Sequence, residues 1–264
     1  GLLPLCFGAA TKFSQVSLDA DKAYRATLQL GARSTTCDGE GEKYDPRPVA
    51  LADGAIEAAI ARFTGTIDQL PPLHSALKKD GRALYEYARA GQDVERTPRR
   101  VTIHAIDIVE RHDDRLVIDV VCSKGTYIRT LADDIGQVLG CGAWLAGLRR
   151  TMSGPLRVEQ AITIEALEAL DDDARLALLQ PPEQLVADWP EVRLPHDEAG
   201  RFLSGLRRRV ALADAPAVRV YGPVPEAAPG GPSHVFLGSA HITAGELIAD
   251  RLLSPLEVQA LIAA

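Results

Sequence analysis

The stretch Ser123-Lys124-Gly125-Thr126-Tyr127-Ile128-Arg129-Thr130 carries the residue types best suited to chemistry. It joins a strand-like run, Arg115 to Cys122, to a helix-like run. In the latter, Ile128, Leu131, Ile135 and Leu139 fall at helical spacing, with Gly140 behind them as a stop. Strand-to-helix junctions expose backbone N–H groups and side chains at a sheet edge, where sites tend to lie. Tyr127 and Arg129 can both reach the mouth of such a junction, where a ring stacks on a flat base and a guanidinium holds a carboxylate. The plainer alternative is a turn and cap with a packed tyrosine and a surface arginine. Taken alone, the residues favour that alternative.

Three further stretches could bind a nucleic acid. In Asp21-Lys22-Ala23-Tyr24-Arg25 a tyrosine at the start of a strand lies between cations, a platform on which a base could stack. A strand tyrosine with its hydroxyl at the surface is the commoner outcome. In Leu148-Arg149-Arg150 the leucine could wall a pocket and the arginines could meet phosphates. A core leucine with two solvated arginines is the simpler reading. Residues 68–100 hold Gln69-Leu70-Pro71-Pro72, Ser75-Ala76-Leu77-Lys78, Tyr85-Glu86-Tyr87-Ala88-Arg89 and Arg99-Arg100. Over 71–100 there are seven basic and four acidic side chains, which suits a basic arm closing on RNA or a solvated linker. The run Arg207-Arg208-Arg209 reads as a charged face.

No phosphate-cradling glycine loop, metal-ligand spacing or Ser/His/Asp pattern is present, so neither cofactor nor metal is expected. No apolar run nears the roughly 20 residues of a membrane helix, and no secretory signal opens the chain. The four cysteines, Cys6, Cys37, Cys122 and Cys141, read as free thiols of a cytoplasmic protein. Net charge is −7, which argues at first against a nucleic-acid partner. The acidity is local, however. Residues 1–159 hold 21 cationic and 21 acidic side chains, while residues 160–200 hold 2 and 10. A local basic surface can bind phosphates on an acidic chain.

The elements that must position these residues follow from periodicity. Residues 2–7 read as a buried strand and 9–17 as a short helix. Tyr24, Ala26, Leu28 and Leu30 alternate as one buried strand face. Residues 32–49 read as a polar loop. Asp53 is placed to cap a helix bearing Ile56, Ile60 and Phe63. Residues 64–81 read as irregular, followed by a helix over 82–90 that stops at Gly91. Strands are expected at 99–110, 115–122 and 143–151, a helix at 126–139, and short helices through 163–188. After Pro195 come short strands with Gly/Pro-rich turns and a last helix with a capping box at Ser254, Pro255 and Glu257. The class is α+β, with a main domain over 1–192 and a small mostly-β domain over 193–264.

Taken together, the motifs resemble the bacterial tRNA pseudouridine-55 synthase family. The matching stretches are Gly1-Leu-Leu-Pro-Leu-Cys-Phe-Gly8, Ala10-Thr-Lys-Phe-Ser-Gln15, Asp21 to Arg25, Gly31-Ala-Arg-Ser-Thr-Thr36 and Gln69-Leu-Pro-Pro72. Ser75 to Lys78, Leu84 to Arg89, Cys122 to Thr130 and Leu148 to Arg150 follow in the same order. The resemblance implies a mixed-sheet pseudouridine synthase catalytic domain with an RNA-gripping insertion at about 68–100, followed by a PUA-like RNA-binding domain. It implies a cofactor-free isomerase acting as a monomer on the T arm and T-loop of tRNA. Uridine 55 is flipped into a pocket. Tyr24 stacks on the base near the proton lost from the sugar, Arg129 pairs with the nucleophilic aspartate, and Tyr127 and Leu148 complete the pocket. Lys12, Lys22, Lys78, Arg82, Arg89, Lys124, Arg149 and Arg150 are the expected RNA contacts.

One departure matters. In the family the aspartate precedes the stretch that here starts at Gly1, by five residues on this alignment, and a histidine that helps extrude the base precedes it too. With Gly rather than Met at position 1, an internal start is expected. A chain beginning there is expected to bind RNA without turnover. A catalytically silent tRNA-binding or tRNA-folding module is therefore the competing reading. An unrelated protein with structural tyrosines and arginines is the other.

Overall fold

A computed structural model describes residues 1–92, 94–224 and 233–263. By contact the chain divides into two compact units. The first comprises Gly1–Leu3, Ala20–Ser153 and Arg157–Glu159; the second comprises Pro4–Asp19, Gly154–Leu156 and Gln160–Ala264.

The first unit is built on an antiparallel sheet. Five of its six strands are β1 (Lys22–Leu30), β2 (Gly65–Gln69), β3 (Arg99–Arg111), β4 (Arg115–Cys122) and β5 (Ala143–Ser153), in the order β5-β1-β4-β3-β2, and the short strand Leu156–Arg157 adjoins β5. Every pairing along this run is antiparallel. Helix α1 (Ala55–Ala61) lies between β1 and β2 in the chain, α2 (Leu84–Arg89) between β2 and β3, and α3 (Ile128–Leu139) between β4 and β5. The expected alternation on β1 holds: Ala26, Leu28 and Leu30 are buried and Arg25 is exposed. Ala26 and Leu28 share a core with Ile103, Ile118 and Val120 of the neighbouring strands and with Ile128, Leu131 and Ile135 of α3. Each such buried aliphatic contributes on the order of 1.5–3 kcal/mol.

Helix α3 sits closer to β5 than any side chain would allow. A Cβ on Gly136 would lie 2.1 Å from the Ala143 amide nitrogen and 2.4 Å from the Gly142 carbonyl carbon. The helix then ends at Gly140 (φ 80°), whose left-handed backbone costs a glycine nothing.

The second unit has a five-stranded sheet of β6 (Glu191–Arg193), β7 (Arg208–Arg209), β8 (Ala215–Pro223), β9 (His234–Thr243) and β10 (Glu246–Leu252), in the order β6-β8-β9-β10-β7. The β6/β8 pair is parallel and the others are antiparallel. Helix α4 (His196–Leu203) follows β6, and α5 (Pro255–Ala263) closes the chain with the expected capping box. In that box the Ser254 N–H donates to Glu257 Oε2 at 2.6 Å, and the Glu257 N–H donates to Ser254 Oγ at 3.3 Å.

Several expectations are corrected. Residues 2–7 form no strand; Leu3, Leu5 and Phe7 are exposed and only Leu2 is buried. Strand β2 lies inside the stretch read as irregular, because Ile67 is its only large apolar residue. Gly54, not Asp53, occupies the cap of α1, without a side-chain hydrogen bond. The compact units do not part at 192/193. Leu185, Val186 and Val192 share one core with Val218, Val220 and Phe236, and Phe13 enters the same core with its ring 5.3 Å from that of Phe236.

The close approach at Gly136 generates a first prediction. Gly136→Ala should lower unfolding stability by about 1–3 kcal/mol, the range for overpacking, as measured by urea titration. A change under about 0.5 kcal/mol would contradict the contact.

Candidate functional site

The junction between β4 and α3 is fixed by local chemistry. Gly125 (φ 81°) makes the turn, and Thr126 Oγ1 donates to the Ser123 carbonyl at 2.9 Å. Tyr127 follows as the extended cap residue of α3 (φ −101°, ψ 104°). Its backbone is clasped by the buried side chain of Gln69, whose Oε1 accepts the Tyr127 N–H at 2.8 Å and whose Nε2 donates to the Tyr127 carbonyl at 3.1 Å.

Beside this junction is a cleft of about 490 Å³, a size suited to one small ligand. Tyr24, Tyr127, Arg129 and Leu148 all line it, together with Asp38, Gly39 and Glu40. The sheet register explains the convergence. On β1, Tyr24 pairs with Val120 of β4 and Arg150 of β5, while Ala26, two residues on, pairs with Leu148. Tyr24, Ala26 and Leu148 therefore share the sheet face covered by α3. Leu148 is 50% exposed, so it walls the cleft and is not a core residue. Burial pushes the Tyr24 phenol above its usual pKa, and the charge of Cys122 adds to this. The charge and hydrogen bond of Arg150 oppose both.

Arg129 is held from two sides. Its Nη1 donates to Asp38 Oδ2 at 3.1 Å, and its Nη2 donates to the His74 carbonyl. Burial raises the pKa of Asp38, but hydrogen bonds from Thr36 Oγ1, the Glu40 N–H and Arg129 outweigh burial and leave it below the usual range. Asp38 rides on a loop tied at several points. Lys43 Nζ donates to the carbonyls of Asp38, Gly39 and Gly41 at 3.1, 2.9 and 2.6 Å and stands 4.3 Å over the Trp144 ring. At the loop's root, Arg33 makes a two-point pair with Asp133 of α3 at 2.8 and 2.7 Å, and Gln137 also donates to Asp133.

The expected RNA contacts divide. Lys78 and Arg149 are exposed. In the 70–98 segment, Arg82 lies 4.7 Å over Tyr87 and Arg89 lies 5.2 Å over Tyr85. Lys124 stands in the junction turn, and Lys22 Nζ donates to the Ala20 carbonyl at 2.6 Å. Two of the expected contacts are paired locally. Lys12 lies in the second unit, bonded to Glu257 at 2.5 Å and to the Leu252 carbonyl at 3.0 Å. Arg150 donates to the Leu2 carbonyl at 2.7 Å and bonds Tyr24, so it serves the tyrosine and the local backbone.

The sequence reading missed Asp38 and Gln69. Their partners lie 91 and 58 residues away. Only the Asp38-Gly39 dipeptide, a turn signal, marked the first locally. Among the described residues, no group of His, Cys, Asp and Glu could hold a metal ion, and no helix is long and apolar enough to cross a membrane. All four cysteines are free.

Known proteins share this fold. The fold is that of pseudouridine synthases. A Cbf5-Nop10-Gar1 complex matches with a TM-score of 0.69 and 22% identity, over 98% of this chain and 74% of that one. An H/ACA RNP bound to a substrate RNA containing 2'-deoxyuridine matches with a TM-score of 0.64 and 19% identity, over 94% and 71%. The likeness takes in the small mostly-β, PUA-like module of the second unit. Residues 1–128 match the TruB family pseudouridylate synthase N-terminal domain, and residues 129–187 match the tRNA pseudouridylate synthase B C-terminal domain. The tRNA pseudouridine synthase B of Ralstonia pickettii (strain 12J) is 52% identical over 259 residues, 96% of this chain and 81% of the relative. That of Verminephrobacter eiseniae (strain EF01-2) is 52% identical over 270 residues, 100% and 79%. The chain belongs to the TruB family of pseudouridylate synthases.

The loop anchor generates a pH prediction. Burial, helped by the charge of Asp133 and opposed by Arg33, pushes the Asp134 carboxyl up to about 6. An unfolded aspartate titrates near ~3.9. Between about pH 4 and pH 6 the native state holds a proton that the unfolded chain has lost, so stability falls as pH rises through that window. Asp134→Asn should thus gain roughly 1 kcal/mol above pH 6, after discounting for solvent screening, and nothing below pH 4. Parallel melts of both proteins across that range check it.

Proposed function

We propose that this chain is the larger part of an enzyme that converts the T-loop uridine at position 55 of tRNA to pseudouridine. The observation that carries this reading is the convergence of Tyr24, Tyr127, Arg129 and Leu148 on one cleft in a chain of this family. Those four side chains came from three separate sequence stretches, and unrelated structural residues have no reason to meet.

In this reading the uridine is flipped out of its loop and enters the cleft. Tyr24 stacks on the base, and Tyr127 and Leu148 close over it. An aspartate attacks the ribosyl unit or otherwise drives glycosidic cleavage; the uracil turns and rejoins the sugar through carbon, and C5 gives up its proton. No redox change accompanies the step, so no cofactor is required. Arg129 orients the aspartate. That aspartate belongs to the motif which the family carries ahead of the stretch matching Gly1. Asp38 does not replace it. Thr36 and the Glu40 N–H occupy one of its oxygens and Arg129 the other, and a carboxylate so engaged is a poor nucleophile. The basic segment between Gln69 and Arg99 grips the T arm through Lys78, Arg82 and Arg89, and Lys22, Lys124 and Arg149 also contact the RNA. The PUA-like module meets the acceptor side. The enzyme acts as a cytoplasmic monomer.

The direct test is tritium release from T-arm RNA labelled at uridine C5. Protein from the complete gene should release tritium, and protein starting at Gly1 should bind the RNA without release. Tight binding with no release from the complete protein would favour the silent binding module. Release from the Gly1 chain would return Asp38 to candidacy. A second prediction concerns the arm. Lys78→Ala with Arg89→Ala should weaken RNA binding and lower the slope of log affinity against log salt by roughly 1–2. An unchanged slope would remove these cations from the interface.

A further inference from the structure

Gln69 is a buried polar residue that the reaction, as described, does not use. It is 2% exposed and is the last residue of β2, where it pairs with Arg99 of β3. Gln69 and Arg99 thus form the final rung of the ladder from which the 70–98 segment departs. The Gln69 amide uses its oxygen and its nitrogen on the two main-chain polar groups of a single residue, Tyr127. A glutamine so oriented fixes position and rotation together, because shifting either segment breaks one bond or both. Two further ties converge nearby. The Thr102 N–H donates to Ser123 Oγ at 2.9 Å, and the Ser123 N–H donates to the Thr102 carbonyl at 2.8 Å. Five residues past Gln69, the His74 carbonyl accepts from Arg129.

We propose that Gln69 is a positioning residue for the reaction, one that sets the Tyr127 backbone and hence the direction of Arg129 from the root of the RNA-gripping segment. This rests on the functional reading above. Gln69 touches neither the cleft's occupant nor the reacting atoms and acts through the cap of α3. Without the glutamine the Tyr127 N–H would lose this partner, while the Tyr127 carbonyl would keep only the helical bond from the Leu131 N–H at 3.0 Å, and an orphan donor at a helix start is disfavoured. With the clasp intact, a segment seated on its RNA and an arginine aimed into the cleft are one mechanical unit. Without it, the segment can still bind RNA while the cap of α3 drifts. A misplacement of order 1 Å is enough to slow an enzyme about 100-fold.

The test uses the complete gene product with Gln69→Leu, which removes both bonds at similar volume, and Gln69→Glu, which keeps the acceptor for the Tyr127 N–H and loses the donor to its carbonyl. In single-turnover tritium release, Gln69→Leu should be slower by about 10-fold to 100-fold while its RNA dissociation constant stays within about 3-fold. Gln69→Glu should fall between it and the parent. Amide hydrogen exchange on the free proteins supplies the second measurement. Protection at Tyr127 should be lost in Gln69→Leu and kept in Gln69→Glu, with the strands of the sheet protected in all three. A Gln69→Leu protein with parental turnover, or one whose loss lies wholly in RNA affinity, would overturn the proposal. Unchanged protection at Tyr127 would overturn it as well. An inactive parent would reject the functional reading alone, since the exchange data would still decide whether Gln69 holds the junction.

Discussion

The site depends on how closely helix α3 is seated on its sheet. At Gly136 the helix backbone touches the start of β5 at a distance that only hydrogen permits. That contact fixes one end of a twelve-residue helix, and the Gln69 clasp on Tyr127 fixes the other. Between them, Ile128, Leu131 and Ile135 bury against β1 and β4. A helix held at both ends and along one face cannot slide or roll without opening a void, since cores are close-packed. Tyr127 and Arg129 inherit that rigidity. Tyr24 and Leu148 inherit theirs from the register of β1 with β5, so the four residues that meet at the cleft are placed by two independent constraints.

Electrostatics then sets the arginine within this frame. Arg129 has a carboxylate on one side and a backbone carbonyl on the other, and the carboxylate is itself held by a hydroxyl and an amide. Behind that carboxylate, the Lys43 ammonium gathers three carbonyls of the loop, and Arg33 bolts the loop's root to Asp133 on α3. Each partner removes a freedom from the next. A guanidinium presented this way needs little reorganisation when a further anion approaches, which is the condition under which charge stabilisation is most effective.

Much of this was legible in the sequence, for reasons that also explain the rest. Strand β1 announced itself through alternation, and α3 through the spacing of its apolar residues and its terminal glycine. Tyr24, Tyr127, Arg129 and Leu148 were legible as candidates, and the resemblance to a family gave them a common purpose. Strand β2 was not legible, because Gly65-Thr66-Ile67-Asp68-Gln69 has one apolar side chain and buries a glutamine at its end. The run Leu3, Leu5, Phe7 misled in the opposite way, since hydrophobicity predicts burial only where a partner surface exists. Asp38 and Gln69 escaped because their roles arise from pairings across tens of residues, which no local pattern encodes. The core that spans residue 192 escaped for the same reason. Phe13, Leu185 and Val186 belong to a core whose other buried members lie past residue 190.

The proposed reaction explains why a protein would tolerate such an arrangement. An isomerisation that needs no cofactor has no reactive group to lend it power, so the rate must come from where ordinary side chains stand. Precision of that kind calls for polar contacts in places where apolar packing would be safer. A buried glutamine, a carboxylate shared with an arginine, and an Asp134 acid raised to about 6 beside Asp133 all sit around one helix. Apolar replacements at such positions could raise stability, but they could not specify a direction, because hydrophobic contact is not directional whereas a two-point hydrogen bond is. The same reasoning fits the charge of the chain. Residues 160–200 carry ten acidic side chains against two cations, while the residues that form the cleft and the arm belong to a neutral stretch with a basic insertion. RNA meets a local potential, because charges farther off than a Debye length of about 8–10 Å are largely screened.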